Sequence, residues 1–201
     1  MKLLWSPKSP YVRKVMVCAE ELGLVAQLEL TRTVAAMLKP NPAIMEENPL
    51  NKIPTLVLAD GTALFDSVVI CDYLNDLAAG PLFPAQGAAK FQALRWNALG
   101  DGLLDALILW RNEREREQPL AVLIAAFELK TRASLAVLEK EAGALQAAPF
   151  NIGHVALCCA LSYIDYRFES LAWRDAAPQL AGWHAAMSQR PSLKATEPVD
   201  G

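Results

Sequence analysis

The 201-residue chain has only two histidines and four cysteines, and no two cysteines stand in a Cys-X-X-Cys pair. His154 and His184 with Cys18, Cys71, Cys158 and Cys159 form no zinc-ligand spacing, so no metal is expected. The cysteines are expected to be reduced, buried packing residues. Long apolar runs are also missing. Leu3-Leu4-Trp5 is interrupted by Ser6, Pro7 and Lys8, too early for a signal-peptide core, and no stretch approaches a membrane span. A cytoplasmic protein with no membrane partner is the expectation. Nineteen basic residues against 22 acidic ones leave a net charge of -3 with no basic block, which gives nucleic-acid binding no electrostatic support. Low-complexity tracts and internal repeats are absent.

What is present is apolar material: 53% of residues are hydrophobic, enough to fill a substantial core in one or two domains. After Leu3-Leu4-Trp5, a strand end, the stretch Ser6-Pro7-Lys8-Ser9-Pro10-Tyr11-Val12-Arg13-Lys14 reads as a turn and then a helix start. Ser9 suits the N-cap, and Pro10 suits the first helical position, where its missing N–H would be unpaired anyway. Val12, Val15, Met16, Ala19 and Leu22 then fall on one helical face, and Gly23 closes the run. Leu28 and Leu30 alternate with Glu29 and Thr31 as in a strand, completing a strand-helix-strand unit with parallel pairing. A proline-punctuated loop from Lys39 to Pro49 follows, with room for a short helix around 43–47.

Ile53-Pro54 leads into a strand over 55–58; Asp60-Gly61 signals a tight turn, and 62–65 returns as the second arm of a hairpin. Asp66 caps another helix, with Phe65 and Ile70 at the hydrophobic-staple positions. Two prolines and two glycines in 80–87 end this pattern, and the later runs 88–118, 120–148, 152–171 and 176–189 are helical, with prolines at or near their ends. The expected organisation is a first domain over 1–79, a linker over 80–87 and an all-helical domain over 88–201. Arg111 to Glu117 alternates in charge and reads as a solvated helix end.

Strand, helix, strand, hairpin and helix within the first 80 residues is the thioredoxin-like arrangement, here an α/β domain followed by a helical bundle. On this plan four local matches stand out: Ser9-Pro10-Tyr11-Val12-Arg13-Lys14, Asn48-Pro49-Leu50-Asn51-Lys52-Ile53-Pro54, Phe65-Asp66-Ser67 and Leu161-Ser162-Tyr163-Ile164-Asp165-Tyr166-Arg167. Through them the whole chain resembles a bacterial glutathione S-transferase with a serine-type active site. The resemblance implies glutathione as co-substrate, a homodimer formed across the Ser67 helix and the start of the bundle, and a role in detoxification.

The site it implies is specific. Ser9 stands where cysteine-type relatives carry a nucleophilic cysteine; a serine makes no mixed disulfide, but its hydroxyl donates to a thiolate, favouring conjugation over reduction. Ser6, slightly earlier in the same loop, is the alternative. A cis bond at Ile53-Pro54 would let the Ile53 backbone pair with the cysteinyl part of glutathione like an added strand. The N–H groups and hydroxyl at Asp66-Ser67 suit the γ-glutamyl carboxylate, and Asp66 suits the adjacent ammonium. Lys52 is placed to meet the glycyl carboxylate, unless it is an ordinary surface lysine. For the second substrate, a small and apolar electrophile, helical spacing offers Asp101, Leu104, Asp105, Ile108 and Arg111, with Trp110 nearby, and the apolar ones suit the core or the dimer interface at least as well. Asn151-Ile152-Gly153-His154 replaces the family's Ser/Thr and Asp capping box, and His154 is expected to weaken it. Isomerisation or dehalogenation with glutathione, and a non-catalytic glutathione-binding regulator, remain alternatives, because the first domain fixes only glutathione.

Overall fold

The computed structural model describes residues 1–199; the last two positions of the expected second domain, 200 and 201, lie outside them. The first part contains β1 (Lys2–Trp5), α1 (Pro10–Glu21), β2 (Glu29–Arg32), a short α2 (Pro42–Met45), β3 (Thr55–Val57), β4 (Ala63–Leu64) and α3 (Ser67–Leu77). The four strands form one mixed sheet in the order β2-β1-β3-β4. β1 runs parallel to β2, with Leu3 opposite Leu30, and antiparallel to β3, with Leu4 opposite Thr55. The β3–β4 hairpin pairs Leu56 with Leu64, its turn held by Asp60 Oδ1, which accepts from the Thr62 N–H at 2.9 Å, and by Gly61 at φ 88°. This is the expected thioredoxin-like domain, and a mostly helical domain follows it.

That second part comprises α4 (Gly87–Arg114), α5 (Ala121–Ala147), α6 (Ile152–Arg167), α7 (Trp173–Ala176), α8 (Pro178–Met187) and α9 (Pro191–Ala195). The run expected over 176–189 is α8, Pro178–Met187; the short α7 precedes it, and α9 is a further helix outside the expected runs. α6 is buried along most of its length and packs tightly on α4: a Cβ at Gly100 would lie 2.8 Å from the Ala156 Cβ, and one at Gly153 would lie 2.6 Å from the Trp96 Cβ. Glycine at these two positions lets the helix backbones approach.

Three local expectations need correction. The box at the start of α6 is intact: the Gly153 N–H donates to Asn151 Oδ1 at 2.9 Å, and the Asn151 N–H donates to His154 Nδ1 at 3.3 Å. A neutral imidazole has an acceptor nitrogen on one side and an N–H on the other, and His154 Nε2 lies 3.0 Å from the Leu145 carbonyl oxygen. The charged end of α4 is not wholly solvated. Glu113 is 6% exposed and accepts from the Leu120 N–H at 2.7 Å, supplying the acceptor that the uncapped start of α5 needs. Nor does α1 show a polar face to water. It lies between α3 on one side and α6 and α9 on the other, with Arg13 and Lys14 buried. Arg13 donates to the Leu193 carbonyl at 3.1 Å, and Glu21 holds Arg190 at 2.7 and 3.0 Å and Ser192 at 2.5 Å. Burial opposes ionisation of Glu21, but the bonds from Arg190 and Ser192 outweigh it and keep its carboxyl below the usual range.

Candidate functional site

The registers place the candidate residues together. Leu4 opposite Thr55 and Leu56 opposite Leu64 put the end of β1, the start of β3 and the end of β4 at one edge of the sheet. From that edge spring the Ser6–Ser9 turn, the Ile53-Pro54 pair and the Asp66-Ser67 helix start. α1 and α3 therefore both present their N-termini there, with the partial positive charge and unpaired N–H groups that favour an anion.

Ser9 is the N-cap of α1, and its Oγ accepts from the Val12 N–H at 3.3 Å, which leaves its own O–H to donate. Ser6 Oγ accepts from the Lys8 N–H at 3.4 Å, at the end of the strand rather than at the helix. The Ile53-Pro54 bond is cis, as is the non-proline bond Phe65-Asp66. Asn48, which the sequence reading did not single out, is 1% exposed and organises this turn: its Nδ2 donates to the Lys52 carbonyl at 3.2 Å and to Thr55 Oγ1 at 3.0 Å, and its Oδ1 accepts from the Leu50 N–H at 3.0 Å. Lys52 is exposed, with no partner for its ammonium among the described residues. Asp66 Oδ1 caps α3 by accepting from the Val68 N–H at 3.0 Å, while Ser67 is buried beside it.

Across the cleft runs α4. Tyr11, two residues after Ser9, donates its hydroxyl to Asp105. Burial first, and then this bond, push the Tyr11 phenol far above its ordinary value, so it stays a proton donor held by Asp105 and is no acid or base at neutral pH. Lys14 Nζ reaches both carboxylate oxygens of Asp101, at 2.7 and 3.0 Å, and Asn97 Nδ2 adds a third bond at 3.1 Å. Burial nevertheless raises the Asp101 carboxyl above its ordinary value, against the pull of Lys14. Asp101 is thus committed to holding α1. Leu104 is 0% exposed and faces the core between helices, so it does not line the cleft.

Ile108 is half-buried on the cleft side, and one turn further Asn112, missed in the sequence, touches Met37 Sδ at 3.6 Å across the gap. Arg111 turns toward α6, donating to the Tyr163 hydroxyl at 3.1 Å and to Asn112 Oδ1 at 2.9 Å. Trp110 is buried. Tyr11, Asp105 and Asn112 make this side of α4 polar.

All four cysteines are free and buried. The neighbouring Cys71 sulfur, then burial, raises the Cys18 thiol; burial raises Cys158 as well and brings Cys159 to about 11. These three remain thiols at neutral pH, so none supplies a protein nucleophile. Among the described residues no cluster of three or more His, Cys, Asp or Glu side chains is placed to hold a metal ion, and no helix is long and apolar enough to cross a membrane.

Residues 8–77 match the family model described as "Glutathione S-transferase, N-terminal domain". Over the whole chain, a glutathione transferase family member from Pseudomonas fluorescens Pf-5, solved with bound glutathione, is 41% identical, with 99% of each chain covered and a TM-score of 0.95. A glutathione S-transferase from Methylobacillus flagellatus KT, also solved with glutathione, is 34% identical, covering 98% of this chain and 99% of that one at a TM-score of 0.85. The uncharacterised GST-like protein YibF of Escherichia coli K12 is 29% identical over 98% of both sequences.

Proposed function

The chain belongs to the glutathione S-transferase family, and from that premise we propose that it binds glutathione along the shared sheet edge and catalyses attack of the glutathione sulfur on a small electrophile in the cytoplasm. The observation that carries this reading is the convergence of Ser9, Ile53-Pro54 and Asp66-Ser67 at one edge, beneath two helix N-termini. The γ-glutamyl carboxylate meets Ser67 and the first N–H groups of α3, with its ammonium near Asp66. The cysteinyl backbone pairs with Ile53, and Lys52 answers the glycyl carboxylate.

The sulfur then lies at the tip of α1. Pro10 carries no N–H and the Val12 N–H is taken by Ser9, so the Tyr11 N–H and the Ser9 O–H are the donors left to a thiolate. A free thiol ionises near pH 8.5, and donors at a helix start lower that value. The thiolate attacks the electrophilic carbon: a C–S bond forms, and the leaving group departs with its electron pair.

The chain is proposed to act as a homodimer through α3 and the start of α4. There Val69, Leu77 and Phe91 are exposed, and a groove of about 340 Å³ runs between Val68, Asp72, Phe83, Lys90 and Leu94. Calorimetric titration with glutathione, paired with light scattering at micromolar protein, tests the reading. Saturable one-to-one binding per chain by a species of twice the chain mass is expected. Absence of heat with glutathione would refute the site, and a monomer would refute the assembly.

A further inference from the structure

The geometry points to Arg111 as a receptor for a carboxylate on the electrophile, so that the second substrate is an anionic aromatic or short-chain acid rather than a neutral apolar compound. This rests on the glutathione-conjugating reading above. Arg111 is half-buried on the helix that faces the Ser9 tip, and its hydrogen bonds go to two neutral groups, the Tyr163 hydroxyl and the Asn112 amide oxygen. A guanidinium carries five N–H donors, so those two bonds leave a second N–H on each terminal nitrogen, a pair that matches the two oxygens of a carboxylate. Among the described residues its one carboxylate neighbour is Glu115, 3.6 Å from Nε, with a side chain 67% exposed and therefore well screened.

Two other charged groups of α4 are already engaged. Asp101 holds Lys14, and Asp105 accepts from Tyr11. Arg111, whose guanidinium reaches Tyr163 on α6, bonds no buried anion among the described residues. Asn112, which bonds the guanidinium, also touches Met37 in the opposite loop, so the guanidinium lies one side chain away from the glutathione domain. Asp105, which touches the first turn of α1, and Arg111 are six residues apart on one helix, about 9 Å along its axis and about a third of a turn around it. That span fits an electrophile whose reacting carbon lies near the sulfur and whose carboxylate lies across a ring.

The probe pair is 4-chloro-3-nitrobenzoate and its methyl ester. In both, the glutathione sulfur bonds to the chlorine-bearing ring carbon, the C–Cl bond breaks with its electron pair leaving as chloride, and the thiol proton passes to solvent. With each kcat/KM divided by the uncatalysed rate constant, the wild-type protein should accelerate the acid more than the ester. Arg111→Leu should lower the acid value by about tenfold or more while leaving the ester within about twofold. Arg111→Lys, which keeps the charge without the planar fork, should fall in between for the acid only. Calorimetry with glutathione on each variant separates the two readings. Normal glutathione binding with acid and ester handled alike by the wild type, or lowered together by Arg111→Leu, overturns the Arg111 assignment alone. Loss of glutathione binding by the wild type overturns the underlying function.

Discussion

Lys14→Met is expected to destabilise the protein by about 3 to 5 kcal/mol, because it strands a carboxylate in the joint between the two domains. The Lys14 side chain is 0% exposed and its ammonium spans both oxygens of Asp101. Without it, Asp101 must either stay charged in a poorly solvated place or take up a proton. For a protein of this size the melting temperature should fall by roughly 10 °C. The defect has a signature. Burial already raises the Asp101 carboxyl, and loss of Lys14 raises it further, so the variant's deficit should shrink as pH falls toward the ordinary Asp value and grow as pH rises. The double variant Lys14→Met with Asp101→Leu should recover most of the loss, since an apolar pair avoids the cost of burying two charges. Urea unfolding of the wild type and the two variants at two pH values checks this. A pH-independent deficit for Lys14→Met would mean that packing, not the stranded charge, is responsible.

Acid should destabilise the fold well before the carboxylates titrate. His184 is buried against Ser162 Oγ at 3.1 Å and Arg174 at 3.1 Å, with Asp165 Oδ2 at 3.9 Å and Trp173 packed on its ring. Burial, only partly offset by Asp165, lowers its imidazole to about 4. In the unfolded chain it titrates near 6.5, so between those values the unfolded state binds a proton that the folded state refuses. Stability from this group is complete above about pH 6.5 and declines as pH falls toward 4, by up to about 3 kcal/mol. His154, lowered by burial, acts in the same direction, and its protonation would remove the acceptor that closes the box at the start of α6. Unfolding free energies measured from pH 7 to 4.5 should therefore slope downward, and His184→Gln should flatten that slope whatever its effect at pH 7. An unchanged slope in His184→Gln would assign the acid sensitivity to other groups.

The parts of this architecture that were legible in the sequence are those set by neighbours in the chain. The Ser9 and Asp66 caps, the Asp60-Gly61 turn and the glycine stop after α1 all depend on residues within a few positions of one another, and each stands in the structure. What stayed hidden depends on partners far apart. Tyr11 and Asp105 are separated by 94 residues and Lys14 and Asp101 by 87, so nothing local marks them as pairs. The same reason explains Glu113, whose partner Leu120 lies beyond a turn, and Leu104, which helical spacing alone could not assign to the core rather than the cleft. The start of α7 was hidden differently: its N-cap Ala172 adopts φ 45°, a conformation that an alanine gives no reason to expect.

The central claim is that the α1 start, through the Ser9 hydroxyl, holds the glutathione sulfur as a thiolate. Its most direct test is the ultraviolet absorbance of the thiolate, followed against pH with glutathione saturating the protein. The wild type should show bound glutathione ionising well below its value in water, and Ser9→Ala should return it toward about 8.5 while glutathione still binds. A normal, low titration in Ser9→Ala, with the shift lost instead in Ser6→Ala, would contradict the assignment and move the role to the earlier serine.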